Sequence, residues 1–144
     1  MPLRASLLCL FALFCVGCGP KVIPIQTAKV TGVAKFYGKP LENYRVFFYC
    51  DTAAANDPAT GLVQKDGTFT LTVRNPGDGA IVGPNKIWLT YDPPLPEETP
   101  GMESGKAPPP PTVKLPSKYL DSSTSGLSVE VTTAGLADYL LDLK

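Results

Sequence analysis

The chain has no histidine in its 144 residues. Without an imidazole, Ser-His-Asp and Cys-His catalysis, histidine-ligated zinc or iron and histidine-based pH sensing are excluded. Charge of one sign is also lacking: thirteen basic residues balance thirteen acidic ones, and charged side chains make up only 18 % of the sequence. Such a surface does not suit a phosphate backbone, and no nucleic-acid partner is expected. No window carries a helical period, and sixteen prolines and thirteen glycines make a fifth of the chain turn or loop punctuation. Long helices are therefore not expected. Hydrophobic residues still reach 44 %, too many for wholesale disorder.

What the chain does have begins with one long apolar run. Met1-Pro2-Leu3-Arg4 is a short basic start, and residues 5–17 are almost unbroken apolar residues ending in small ones before Cys18. That run falls short of the roughly twenty residues a helix needs to cross a bilayer, so a removable secretory leader is expected rather than a span. Cys15-Val16-Gly17-Cys18 resembles a bacterial lipobox, departing from it at Cys15, where leucine is usual. The resemblance implies cleavage before Cys18 and lipid attachment to that cysteine. Two or three acyl chains, at about 0.8 kcal/mol per buried methylene, make a lasting membrane anchor. Three parts follow: residues 1–17 as signal peptide, 18–27 as an extended tether and 28–144 as one folded domain. The nine residues 19–27 span at most roughly 30 Å, which keeps the domain close to the bilayer. Loss of Arg4 with the leader leaves a net charge of −1. Four lysines and no acid lie between Cys18 and Leu41; an anionic leaflet would attract them, and ordinary solvation accounts for them equally well. Cys9 and Cys15 leave with the leader, so with Cys18 acylated Cys50 stands alone and no intrachain disulfide can form.

Beyond residue 28 apolar side chains alternate at period two in short runs bounded by turn residues, the mark of half-buried antiparallel strands. Seven strands are expected, over residues 30–37, 44–50, 61–64, 68–73, 85–91, 127–131 and 139–143. In the second, Tyr44, Val46, Phe48 and Cys50 share one face and Arg45, Phe47 and Tyr49 the other. In the fifth, Ile87, Leu89 and Tyr91 oppose Lys86, Trp88 and Thr90. Asp66-Gly67 is a hairpin signal between the third and fourth. Residues 92–111 hold eight of the sixteen prolines and no period, which makes an exposed loop, locally polyproline II at Pro108, Pro109, Pro110 and Pro111. Strands and turns so spaced predict an all-β fold, a two-sheet Greek-key sandwich with a long proline-rich loop.

Several fragments then carry a resemblance. Val30-Thr31-Gly32-Val33, Gly38-Lys39-Pro40-Leu41, Tyr44-Arg45-Val46-Phe47-Phe48, Asp66-Gly67-Thr68-Phe69-Thr70-Leu71 and Gly79-Ala80-Ile81-Val82-Gly83 are followed by Leu115-Pro116-Ser117-Lys118-Tyr119 and Thr124-Ser125-Gly126-Leu127-Ser128-Val129-Glu130-Val131. In that order they resemble bacterial lipoproteins with a transthyretin-like, carboxypeptidase-regulatory-like domain. The resemblance covers about residues 28–143 and implies a seven-stranded prealbumin-like sandwich, non-catalytic and with no established ligand. Two catalytic relatives of that fold are not matched. The hydroxyisourate hydrolases use histidines and a C-terminal Tyr-Arg-Gly-Ser, whereas this chain ends Leu140-Leu141-Asp142-Leu143-Lys144. The intradiol dioxygenases hold iron with two histidines besides two tyrosines.

Candidate reactive groups have simpler explanations. Cys50 falls in register with Val46 and Phe48 and reads as a small buried hydrophobe. Asp51-Thr52-Ala53 has no second aspartate motif to share a proton. Glu97 and Glu98 point apart in an extended loop, and Ser117-Lys118 lacks the spacing of a serine nucleophile with its lysine base. Asp66, Asp78 and Asp92 show no calcium-loop spacing, and turns account for the first two. Tyr37, Tyr49, Tyr91 and Trp88 are the aromatic candidates; Trp88 either faces outward to stack on a sugar or a partner side chain, or lies against the second sheet's core or under the proline loop. Pro108, Pro109, Pro110 and Pro111 would dock in an aromatic groove or act as a stiff spacer. The expectation is a non-catalytic binding or assembly module without a cofactor, fixed to a membrane of the bacterial cell envelope by lipid on Cys18 and holding a protein or glycan. A structural spacer is the alternative, and a hydrolase or metal-dependent enzyme the remote one.

Overall fold

The computed structural model describes residues 23–95 and 107–144. Ten strands run through them: β1 (Thr27–Ala28), β2 (Val30–Phe36), β3 (Lys39–Pro40), β4 (Tyr44–Tyr49), β5 (Ala59–Leu62), β6 (Thr68–Thr70), β7 (Ala80–Ile81), β8 (Gly83–Tyr91), β9 (Leu127–Val131) and β10 (Leu136–Leu143). Among the described residues the only helical element is a 3-10 turn at Ser117–Leu120, and no helix is long and apolar enough to cross a membrane. The strands form an all-β arrangement of open sheets. One sheet runs β5-β4-β8-β9, and in the other β2 is flanked by β10 on one side and by β3 and β6 on the other. β1 and β7 make a separate two-residue ladder.

The alternation read from the sequence sets the layers. Tyr44, Val46 and Phe48 of β4 and Ile87 and Leu89 of β8 are buried, and so are Val30 and Ala34 of β2 and Leu141 and Leu143 of β10; all belong to one core cluster. The inner faces of the two sheets therefore share a single core, as in a β-sandwich. Phe69 from β6 completes it over Gly32, where a Cβ would lie 2.7 Å from the Phe69 ring and 2.3 Å from the Tyr139 carbonyl oxygen. Glycine is required there by the close approach. Gly79 answers a second one: at φ +91° it passes the Ala28 carbonyl so closely that no Cβ fits, which lets β7 lie against β1.

Ten strands stand where seven are expected, the two-residue β1, β3 and β7 being the additions, and four further features differ from the sequence expectation. β10 pairs with β2 in parallel, Leu140 facing Val33 and Leu143 facing Phe36, and a period of two cannot distinguish that from antiparallel pairing. The third strand lies at Ala59–Leu62 rather than 61–64, because small Ala59 and Thr60 pair with Phe48 and Phe47 at the sheet edge. The fourth ends at Thr70, after which Thr72 bridges back to Thr60. Finally, the turn at Lys65-Asp66-Gly67 does close the expected hairpin, Gln64 N–H donating to the Thr68 carbonyl at 2.8 Å and Thr60 and Thr72 exchanging backbone hydrogen bonds at 2.9 Å, but the ladders of its arms lie in different sheets, β5 with β4 and β6 with β2, so it carries the chain from one layer to the other.

The chain enters at one end of the layers. Val82 N–H donates to the Gln26 carbonyl at 2.9 Å, and Arg74 Nη1 donates to the Ile23 carbonyl at 2.8 Å while Nε and Nη2 donate to Asp57 at 2.9 and 2.6 Å. Residues 23–28 are thus fastened to the body. Asp92 and Val113 lie at the opposite end, beyond the nine residues of β8, roughly 25–30 Å away.

Candidate functional site

The outer face of the four-stranded sheet carries the aromatic cluster. β4 and β8 run antiparallel with Phe47 opposite Trp88, Arg45 opposite Thr90 and Tyr49 opposite Lys86. Because inner and outer residues alternate, this register stands the Phe47 and Trp88 rings side by side, parallel to within 5° and 5.0 Å apart. Both rings are half-buried, each covered on one side by the other. Among the described residues no further strand pairs over this sheet.

Ion pairs flank the rings on both sides. Toward the chain's entry, Lys86 Nζ lies 2.8 Å from Asp51 Oδ2. That hydrogen bond and its charge hold the Asp51 carboxyl below the usual range and raise the Lys86 ammonium above its own. Tyr49 reaches Asn56 Oδ1 with its hydroxyl at 3.2 Å. Toward the other end, Arg45 Nε donates to Asp92 Oδ2 at 2.6 Å and Nη2 is 2.6 Å from the same oxygen. This pair forms one wall of an open cleft of about 400 Å³, also lined by Asn43, Leu62, Pro93 and Pro94. Arg45 stands two residues before Phe47 on the same face of β4, about 6.5 Å along the strand, so cleft and rings make one continuous surface.

Pro108, Pro109, Pro110 and Pro111 are placed elsewhere. The Tyr91 hydroxyl donates to the Pro109 carbonyl at 2.6 Å, and Tyr91 belongs to the inner-face series of β8, tilted against Tyr44 at 5.3 Å. Pro108 to Pro110 are exposed and Pro111 is half-buried. Trp88 and the four prolines are therefore not brought together. Burial raises the Tyr91 phenol above its ordinary range. Tyr37 is exposed in a turn with φ +46°.

The other candidates are engaged within the fold. Cys50 is buried, its Sγ 3.3 Å from Thr52 Oγ1. Asp66 accepts from the Thr68 hydroxyl and N–H, and that lowers its carboxyl. Burial pushes the Asp78 carboxyl up, yet the N–H groups of Val73, Asn75 and Arg74 together outweigh it and hold the group below its usual range. Lys118 lies over the Tyr119 ring, 4.5 Å from its centre. No three histidine, cysteine, aspartate or glutamate side chains among the described residues gather as a metal site. Cys18, Glu97 and Glu98 lie outside the described residues.

Two partners in this face are not marked in the sequence: Phe47 as the ring against Trp88, and Asp92 as the acid against Arg45. The alternation of residues 44–50 places Arg45 and Phe47 on one face; only the pairing of β4 with β8 is missing from it. Comparison with known proteins finds no matching family model, no matching curated protein and no matching solved structure.

Proposed function

We propose that the chain is a bacterial envelope lipoprotein, acylated on Cys18 after loss of residues 1–17, whose sandwich is a non-catalytic module that holds a protein or glycan partner. In this reading the domain is of the prealbumin-like Greek-key type. In support, the chain leaves the four-stranded sheet after β5, contributes β6 to the other sheet and returns as β8 beside β4, a crossing between layers that Greek-key sandwiches use. The observation that carries the binding role is the Phe47–Trp88 pair, half-exposed on the outer side of a sheet, because paired aromatics at a surface are the residues on which partners most often anchor.

Fastening of the chain at Ile23 leaves five residues from Cys18, a reach of at most about 18 Å. The domain would then stand with its entry end toward the bilayer and the Arg45–Asp92 cleft away from it. Pull-down from solubilised envelope, with wild type, Trp88→Ala and a chain lacking residues 97–106, tests the role. A partner lost with Trp88→Ala and kept without residues 97–106 is the expected result. Capture of none by the wild type would leave the module as a spacer.

A further inference from the structure

We infer that the cleft beside Arg45 and Asp92 is a saccharide subsite that takes an uncharged sugar ring, an inference that rests on the binding-module reading above and names the partner's chemistry. The first ground is charge. Among the described residues, Arg45 and Asp92 are the only ionisable side chains lining the cleft, and they are bonded to each other, so the lining is neutral. An anion at Arg45 would meet the Asp92 carboxylate beside it, and a cation at Asp92 would meet the guanidinium, so neither finds a net opposite charge.

The second ground is the pattern of donors and acceptors. The guanidinium only donates, the carboxylate only accepts, and the two abut, both more than a third exposed at 37 % and 42 %. Neighbouring hydroxyls on a sugar are each donor and acceptor at once and fit such a pair without a change of protonation. Asn43 adds an amide of both kinds to the same lining. The third ground is the apolar wall. Pro93 and Pro94 in the cleft and the Phe47–Trp88 rings beside it offer surfaces for the C–H face of a pyranose, which flat aromatic ligands do not present. A volume of about 400 Å³ lies in the range of small-molecule sites.

Trp88 is the only tryptophan in the chain, so fluorescence reads this surface directly. The full chain in a non-glycosidic detergent is titrated with chitotriose, cellotriose, maltotriose and mannotriose to about 10 mM, enough to saturate a millimolar site. At least one is expected to give a saturable change, weakened about tenfold or more in Asp92→Asn and in Arg45→Gln, with unfolding midpoints of both variants near that of the wild type. A silent panel, equal binding by the folded variants, or tighter binding of an acidic trisaccharide or a proline-rich peptide would overturn the inference. A Trp88-dependent protein captured from the envelope together with a silent panel would overturn the sugar and leave the module. Absence of both would overturn the two together.

Discussion

Tyr44 shows how much one side chain fixes in this chain. Its hydroxyl donates to the Val113 carbonyl at 2.8 Å and accepts from Leu115 N–H at 3.3 Å, pinning the segment that follows the proline-rich stretch. Removal of that oxygen in Tyr44→Phe strands both backbone groups, and urea unfolding is expected to register a loss of about 1–3 kcal/mol; a change of only a few tenths would mean the segment is held by other contacts. Gly32→Ala forces a methyl into the Phe69 ring and the Tyr139 carbonyl, with an expected cost of about 1–3 kcal/mol in the same measurement. Asp78 gives the pH dependence. Its carboxyl is held below the ordinary range by three N–H donors against the effect of burial, so its contribution is complete above about pH 3.9, where the unfolded group is ionised, and is lost as pH falls through the lower folded value. Unfolding midpoints from pH 6 to pH 3 should fall more steeply for wild type than for Asp78→Asn. Parallel slopes would remove Asp78 from the account.

At the level of elements, the face of each residue is legible in the sequence and its partner is not. Alternation in residues 44–50 and 85–91 sets Phe47 apart from Val46 and Phe48 and Trp88 apart from Ile87 and Leu89, because a strand's period is set within a few residues; which face is the outer one comes only from the packing of the two sheets. The meeting of the two rings depends on the register of β4 against β8, across an intervening excursion through β5, β6 and β7, and nothing local encodes it. The same limit hides the parallel pairing of β10 with β2. Ala59 and Thr60 do not stand out as strand residues because neither is strongly apolar, yet the edge position beside β4 suits them. The entry segment is a further case: two prolines suggest an extended tether over residues 18–27, but the grip of Arg74 and Asp57 on Ile23 is visible only in three dimensions. For Arg74→Ala a small cost of about 0.5–1 kcal/mol is expected, since the ion pair is partly exposed. Hydrogen exchange should quicken at Val82 N–H, which donates to Gln26, and stay slow in β8. Unchanged exchange at Val82 would mean that β1 holds the segment without Arg74.

For the whole molecule, the proposed lipid on Cys18 would fix one end of the domain to a membrane and display the aromatic face and cleft beyond it. On this account Cys18→Ala releases the protein from membranes into the soluble fraction of the envelope; persistent sedimentation with membranes would argue for another means of attachment. The most direct measurement is the intact mass of the protein extracted from membranes, with fragmentation of its first peptide. A mature chain beginning at Cys18 and carrying diacylglyceryl and acyl mass on that residue is the expected result. A chain that keeps residues 1–17, or one that begins at an unmodified residue, would contradict it.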